Sequence, residues 1–244
     1  MKHDREMSAS LLHAEVIRAK PFLKKLYADY YRQFHAAFEP KQGQVCIELG
    51  SGGGFIKEIM PAVITSDVMP LSRLDVSFSA LQIPLQDNAV DAFFMFDVMH
   101  HVRQISRFFG ELNRTLKIGG KVVMIEPANT PWSRFIYKHF HPEPFDTAGG
   151  WHVGGDSPLY DANGALPWIV FCRDRRRFQD EYPSLKIVRL KPHTPFRYLI
   201  SGGVSSCQLL PGWTYSACKL IEDVMTPLHG FMGMFMTVEL QKVH

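Results

Sequence analysis

A glycine-rich turn follows the first strongly apolar run of the chain and is suited to holding a ligand by its backbone. Residues Val45–Phe55 read VCIELGSGGGF, in which Gly50, Gly52 and Gly54 alternate with other small residues. Glycines let a backbone pass close to a ligand and adopt dihedral angles that are costly for other residues. In an open α/β sheet such a turn lies at the carboxyl end of a strand, where ligands bind.

The spacing of these glycines disfavours a dinucleotide. The dinucleotide pattern is G-x-G-x-x-G, and counting from Gly50 its third glycine position holds Phe55. The chain instead has an acidic residue, Glu48, two positions before Gly50. This arrangement leaves two interpretations, a plain glycine-rich turn or a site for a different nucleoside ligand.

A second carboxylate favours the nucleoside site. Asp67 ends the apolar segment Ile64–Asp67 and lies 19 residues after Glu48. An acidic residue about 20 positions beyond the loop can accept hydrogen bonds from ribose hydroxyls. The alternative is that Asp67 only caps a turn before Pro70, but beside the glycine turn we favour the ribose contact.

Short apolar runs alternate with helical patterns through the rest of the chain, which is typical of an α/β fold. Apolar positions at helical spacing predict N-terminal helices over 8–38, divided at Pro21. A helix over Gln104–Leu116 is predicted to end at Gly119 and Gly120. Further helices are predicted at Phe55–Met60 and Tyr215–Met225, and strands at Val45–Leu49, Val63–Ser66, Arg73–Ser77, Ala92–Phe96, Lys121–Glu126, Leu185–Leu190 and Met234–Lys242.

Five ordered segments between Val45 and Pro127 resemble the class I S-adenosylmethionine-dependent methyltransferases. The glycine turn with Glu48 resembles motif I of that family, and Asp67 follows at the expected distance. Ser79–Asp91 is similar to the family segment D-A-x-x-L-P-F-x-D-x-S-F-D, with Ser79 in place of the aspartate. The last two segments are Ala92–Val102, with its "LHH"-like end, and Leu116–Pro127, similar to L-K-P-G-G-x-L-x-I-x-E/D-P. The closest resemblance is to the type 11 methyltransferase domains, with the ubiquinone/menaquinone methyltransferases.

The resemblance implies S-adenosylmethionine as the cofactor. Glu48 would fix the amino end of the cofactor, the glycines would accommodate its methionine portion, and Ala80 and Leu81 would hold the adenine. The residues that the resemblance places at the cofactor are Glu48, Gly50, Ser51, Gly52, Gly54, Phe55, Asp67, Val68, Ser79, Ala80, Leu81, Phe96 and Asp97.

The resemblance also implies a Rossmann-like, doubly wound, mostly parallel seven-stranded sheet with an antiparallel last strand, plus N-terminal helices and a lid formed by insertions. We expect a single methyltransferase domain over 1–244. Its parts are N-terminal helices (1–42), a cofactor-binding core (43–127), substrate-side insertions (128–180 and 192–233) and the last strands (185–191 and 234–244).

Transfer of a methyl group to oxygen or carbon also requires loss of a proton from the acceptor, usually to a positioned base. His100 and His101 follow the fourth strand, and His152 lies in the expected lid. Glu126 ends the fifth strand and either faces the acceptor or fixes a loop. The sequence does not rank these candidates. Aromatic residues are dense in both insertions, which predicts a small hydrophobic or aromatic methyl acceptor.

Composition limits the other possibilities. A net charge of +3 is too small to indicate a nucleic-acid partner. The chain shows no signal-peptide pattern, no apolar run long enough for stable membrane insertion, and no metal-ligand spacing among its four cysteines, so we expect a cytoplasmic protein without a metal. Two alternatives remain, an NAD(P)-dependent oxidoreductase on a Rossmann fold and a non-catalytic S-adenosylmethionine-binding protein. The acceptor and the oligomeric state stay open.

Overall fold

The buried apolar runs form the strands of one sheet. The computed structural model describes residues 2–155 and 161–244, with side chains described from Met7 onward. Seven strands lie within these ranges: β1 (Cys46–Leu49), β2 (Ile64–Asp67), β3 (Val76–Ser77), β4 (Val90–Phe96), β5 (Leu116–Pro127), β6 (Leu185–His193) and β7 (Phe235–Lys242). Their order across the sheet is β3-β2-β1-β4-β5-β7-β6.

The strand directions create the cleft that the sequence predicts. The first five strands pair in parallel, and β7 is antiparallel to both β5 and β6. The order reverses at β1, which lies between β2 and β4. Connections leaving β1 and β4 therefore diverge and leave a crevice at the carboxyl ends of these strands. The predicted Rossmann-like sheet with an antiparallel last strand is confirmed.

Helices cover the sheet: α1 (Lys2–Ala19), α2 (Pro21–Ala37), α3 (Ile105–Thr115), α4 (Pro131–Phe140), α5 (Leu166–Trp168), α6 (Arg175–Glu181), α7 (Arg197–Ser201), α8 (Tyr215–Val224) and α9 (His229–Met232). Pro21 divides α1 from α2, as predicted. Helix α3 buries the predicted stripe of Ile105, Phe108, Phe109 and Leu112. None of the described helices is long and apolar enough to cross a membrane.

Three local predictions need correction. The helix expected at Phe55–Met60 is only a 3₁₀ turn at Ile56–Glu58, because Phe55 is buried and leaves the helical path. The strand expected at Arg73–Ser77 is only Val76–Ser77. The side chain of Arg73 instead hydrogen-bonds the carbonyl of Gly52.

The third correction concerns the end of α3. The last residue of this helix is Thr115, well before the glycine pair. The next residue, Leu116, is extended and already begins β5. Gly119 has a φ of +83°. The pairing of β4 with β5 is also irregular here, since Val90 pairs with Leu116 but Ala92 pairs with Lys121. The glycines therefore absorb extra residues within a strand.

Hydrogen bonds join the two predicted insertions. The indole nitrogen of Trp132 donates to the carbonyl of Pro195 at 3.1 Å, and the hydroxyl of Thr130 donates to the carbonyl of Gly233 at 3.0 Å. Residues 156–160 of the predicted insertion 128–180 lie outside the described residues. The two segments pack against each other beside the carboxyl edge of β5, which ends at Pro127.

Candidate active site

Two adjoining cavities open at the carboxyl ends of β1, β2 and β4. The first measures about 420 Å³ and the second about 390 Å³. The residues that line both are His13, Gly50, Gly52, Gly53, Asp97 and His101. Apart from Phe55, every residue predicted to contact the cofactor lines one cavity or the other. The predicted residues thus converge on one cleft.

The glycines of the turn serve different purposes. A Cβ on Gly50 would come within 2.6 Å of Val98, and one on Gly53 would lie 2.8 Å from the backbone nitrogen of Ala14. These glycines therefore permit close packing within the protein. Gly52 differs, because a Cβ there would meet nothing closer than 3.8 Å. Gly52 has a φ of +41° and lines both cavities, so a ligand can approach its backbone closely.

Asp67 fixes the glycine turn from the adjacent strand. Its Oδ2 accepts a hydrogen bond from the Gly52 N–H at 3.0 Å, and its Oδ1 accepts one from the Met69 N–H at 3.0 Å. The guanidinium of Arg73 donates to the Gly52 carbonyl and, at 3.3 Å, to the carbonyl of Ser10 in α1. Both the turn and the helix above it are held in place before any ligand binds.

Glu48 is a buried carboxylate with one unsatisfied oxygen. It is 2% exposed, and its Oε2 has no hydrogen-bond partner among the described residues. Burial raises the pKa of Glu48 to about 7. An unpaired buried carboxylate is costly unless it meets a cation or hydrogen-bond donors. Since Glu48 lines the second cavity, a cationic ligand group there would satisfy it.

The far wall of the first cavity contains Val68, Ser79, Ala80 and Leu81. The hydroxyl of Ser79 accepts a hydrogen bond from the Leu81 N–H at 3.2 Å, which fixes this turn. Asp75 is the acidic residue nearest to Ser79 in the sequence, but its carboxylate is engaged elsewhere. It binds Lys57 at 2.6 Å and accepts a hydrogen bond from the N–H of Thr65 at 2.8 Å. This wall therefore offers backbone and apolar surface to a ligand and no carboxylate.

Aromatic side chains line the second cavity. They are Tyr27 and Tyr31 from α2, Phe96 from the end of β4, and Tyr198 from α7. Phe55 lies behind this wall, 6% exposed, with its ring 5.2 Å from that of Tyr31. Polar groups meet the aromatic wall at one end, where His101, His141 and Glu143 line the same cavity.

The three candidate histidines lie in different environments. His152 is exposed, pairs with Gln104 and lines neither cavity. His100 is 1% exposed and contacts two carboxylates, Glu126 at 2.9 Å and Glu143 at 3.3 Å. Burial acts to lower the pKa of His100, but these two carboxylates outweigh it and raise the pKa well above its ordinary value.

His101 is the candidate that lines both cavities. Its Nδ1 lies 3.2 Å from the carbonyl of Asp161, so Nδ1 carries the proton and Nε2 keeps its lone pair. Burial and the neighbouring His100 lower the pKa of His101 to about 4, which leaves the ring neutral near pH 7.

Glu126 holds a loop. It is fully buried, and its Oε1 accepts hydrogen bonds from the N–H groups of Val98 and Met99 at 2.9 and 2.7 Å. The sequence left two roles open for Glu126, facing the acceptor or fixing a loop, and these contacts support the second. Asp97, just before this turn, lines both cavities with a φ of 60°, a backbone conformation that few non-glycine residues adopt.

Several cleft residues were missed in the sequence analysis. Ser10, His13 and Ile17 of α1 line the cleft, and so does Glu143. Tyr27 and Tyr31 lie four positions apart on one face of α2, but Tyr27 was not singled out and Tyr31 was counted only among the apolar positions of a helix. The other residues belong to distant segments, and no spacing in the sequence connects them with the glycine turn.

The comparisons agree with this geometry. A family model described as a methyltransferase domain matches residues 47–124. A search of curated protein sequences gave no significant match. Geranyl diphosphate C-methyltransferase from Streptomyces coelicolor A3(2) has a similar structure, with 14% identity and a TM-score of 0.52 over 95% of this chain and 84% of that chain. A SAM-dependent methyltransferase from Archaeoglobus fulgidus has 14% identity and a TM-score of 0.54 over 89% and 94%.

The domain match covers the glycine turn, Asp67, the two histidines and α3, so the sequence resemblance and the family model point to the same residues. At this low identity the solved structures establish the fold alone. Residues 47–124 thus match a methyltransferase domain, and the chain has a fold similar to that of solved SAM-dependent methyltransferases.

Proposed function

We propose that the chain binds S-adenosylmethionine across the two cavities and transfers its methyl group to a small hydrophobic or aromatic molecule. The observation that carries this proposal is that one cavity is lined both by Gly52, with open space beside it, and by Glu48, whose Oε2 has no partner among the described residues. The nucleoside occupies the first cavity, with its ribose near Asp67. The ammonium of the methionine portion reaches Glu48, and the sulfonium faces the second cavity.

The second cavity receives the acceptor. Its aromatic wall of Tyr27, Tyr31, Phe96 and Tyr198 favours an apolar or aromatic molecule held by a few polar groups. In one structural neighbour the acceptor is a prenyl diphosphate, which also joins an apolar chain to a polar end. A cavity of only about 390 Å³ and a net charge of +3 favour a small molecule over a nucleic acid.

The cleft promotes transfer chiefly by alignment. Methyl transfer is an in-line displacement, and orientation of the two reactants alone supplies roughly 7–11 kcal/mol. The O–H or C–H bond of the acceptor must also lose its proton. We place this activation beside His101, because His101 lines the acceptor cavity whereas His100 is enclosed by carboxylates.

Binding of S-adenosylhomocysteine, measured by calorimetry, tests the cofactor assignment. We expect Gly52→Asp to weaken binding about 100-fold or more, because the new carboxylate fills the open space and lies beside Asp67. Gly110→Asp is the matched control, since Gly110 lies on α3 with nothing within 4 Å of an added Cβ. Equal affinities in the two variants would refute the placement, and tight NAD(P)H binding instead would favour the oxidoreductase alternative.

A panel of quinones, phenols and lipids, assayed with a labelled methyl donor, tests the activity. Labelled product from an apolar or aromatic acceptor is the expected result. Binding of the cofactor without turnover of any acceptor would favour the non-catalytic alternative.

A further inference from the structure

Two histidines and a glutamate converge at the polar end of the second cavity. His100 and His101 lie in a 3₁₀ turn, Met99–His101, directly after β4, and Glu143 comes from the loop after α4. One ligand atom from each of these three residues lies within 4.8 Å of the other two. The residues are brought together by the fold, because about 40 positions separate the histidines from the glutamate in the sequence.

The distances among these three residues leave room for a bound ion. The Nε2 atom of His100 is 3.3 Å from one oxygen of Glu143, and the Nε2 atom of His101 is 3.9 Å from the other. A contact of 3.9 Å is too long for a hydrogen bond. Ligands about 2.1 Å from one metal ion lie roughly 3.0–3.5 Å apart when they occupy neighbouring positions. A shift of a few tenths of an ångström in Glu143, which is 29% exposed, brings its carboxylate to that spacing from both nitrogens.

Both imidazole rings are oriented as in metal-bound histidines. The Nδ1 of His100 binds Oε2 of Glu126 at 2.9 Å, and the Nδ1 of His101 lies 3.2 Å from the carbonyl of Asp161. Histidine ligands usually use their second nitrogen in this way, with a carboxylate or carbonyl that fixes the ring. As a result, the Nε2 atoms of both rings face the same carboxylate, Glu143.

The cluster has access to the acceptor. His101 and Glu143 line the second cavity together with His141, whereas His100 and Glu126 are buried behind them. An ion held by three protein ligands would keep a coordination position open toward the cavity. Two histidines with one glutamate are the ligand set of several catalytic zinc sites, which also keep an open position.

We propose that His100, His101 and Glu143 bind a divalent transition-metal ion of the zinc class, with its open position toward an oxygen of the acceptor. This departs from the expectation of no metal, which rested on cysteine spacing. The role of the ion in methyl transfer rests on the proposed function. A hydroxyl bound to the ion loses its proton to water more readily. The new O–CH₃ bond then forms as the S–CH₃ bond breaks, and neutral S-adenosylhomocysteine leaves.

Metal binding is measurable without any methyl acceptor. Chelator-treated protein is titrated with Co²⁺, followed by visible absorption, and with Zn²⁺, followed by calorimetry. We expect one equivalent of each ion per chain. His101→Ala and Glu143→Gln are expected to weaken binding about 100-fold, since each removes a ligand. Both side chains are partly exposed, at 16% and 29%, so their replacement leaves the core intact, which circular dichroism verifies.

His139→Ala is the matched control, because it removes an exposed histidine of α4 outside the cluster. The proposal is overturned if the unmodified chain shows no cobalt absorption, or if the cluster variants bind as tightly as His139→Ala. S-adenosylhomocysteine binding, measured in the same samples, separates the two proposals. Cofactor binding without metal binding contradicts only the metal site, and metal binding without cofactor binding contradicts only the proposed function.

Discussion

The protonation of Glu48 links cofactor binding to pH. Glu48 is 2% exposed, its Oε2 has no hydrogen-bond partner in the described part of the chain, and burial raises its pKa to about 7. In the free protein this carboxyl group is therefore mostly protonated below pH 7. In the proposed placement, the ammonium of a bound S-adenosylhomocysteine would stabilise the carboxylate, so the pKa is expected to fall when the ligand binds. Binding must then release a proton at acidic pH and tighten as the pH rises.

The magnitude follows from the pKa. With a value of about 7, roughly 9% of Glu48 is ionised at pH 6 and roughly 90% at pH 8. The affinity for S-adenosylhomocysteine is expected to rise about tenfold between these two pH values, or about 1.4 kcal/mol. The protons released on binding are expected to fall from about 0.9 at pH 6 to about 0.1 at pH 8.

Calorimetry in two buffers of different ionisation enthalpy measures both quantities. Glu48→Gln is expected to remove the rise in affinity and most of the proton release. Burial also raises the pKa of Asp67, which the variant retains, so the difference between the two proteins isolates the contribution of Glu48. Glu39→Gln, an exposed glutamate after α2, serves as the control. An unchanged pH dependence in Glu48→Gln would show that this carboxylate does not meet the cofactor.

Three further predictions concern stability. Without ligand, Glu48→Gln is expected to raise the free energy of unfolding by roughly 3 kcal/mol at pH 8 but little at pH 4. The stability that the native protein gains by holding this proton is lost as the pH rises from 4.5 to about 7, and urea titration at both pH values checks this. Gly54→Ala places a Cβ against the hydroxyl of Tyr31 and is expected to cost about 1–3 kcal/mol, whereas Gly110→Ala on α3 is expected to stabilise; thermal melts compare the pair. Phe109→Ala, at a fully buried ring, is expected to cost about 3–5 kcal/mol, and a loss below 1 kcal/mol in urea would contradict its placement in the core.

The parts of the fold that the sequence predicted are those in which local pattern and tertiary packing agree. Strand β1 is apolar at nearly every position and buried on both faces, and α3 carries an unbroken stripe at helical spacing. The predictions failed where one side chain left its local pattern for a distant partner. Arg73 leaves the start of the expected strand and reaches the carbonyl of Gly52, and Phe55 has non-helical dihedral angles, so only one 3₁₀ turn follows it.

The residues of the site likewise fall into two groups, those that spacing in the sequence connects and those that only tertiary packing brings together. The glycine turn and Asp67 lie within 20 residues of each other, so their spacing carried information about the ligand. Glu143 lies about 40 residues beyond His101, and His13 comes from a helix with no sequence relation to the turn. No periodicity links such segments, because only the packing of α1 and the loop after α4 over the sheet edge brings them together.

The two sides of the cleft differ in how they are expected to tolerate substitution. The cofactor side is formed by backbone that other parts of the protein hold tightly: Gly50 packs under Val98, and Gly53 packs under α1. The acceptor side is formed by side chains such as Tyr27 and Tyr198, which face open space in the second cavity. Replacing a residue of the first kind is expected to disturb the packing of the sheet edge, whereas replacing one of the second kind changes the shape of the cavity and its contacts with Phe96 or Phe235. On the proposed function, we therefore expect single substitutions to alter specificity for the acceptor more readily than the binding of the cofactor.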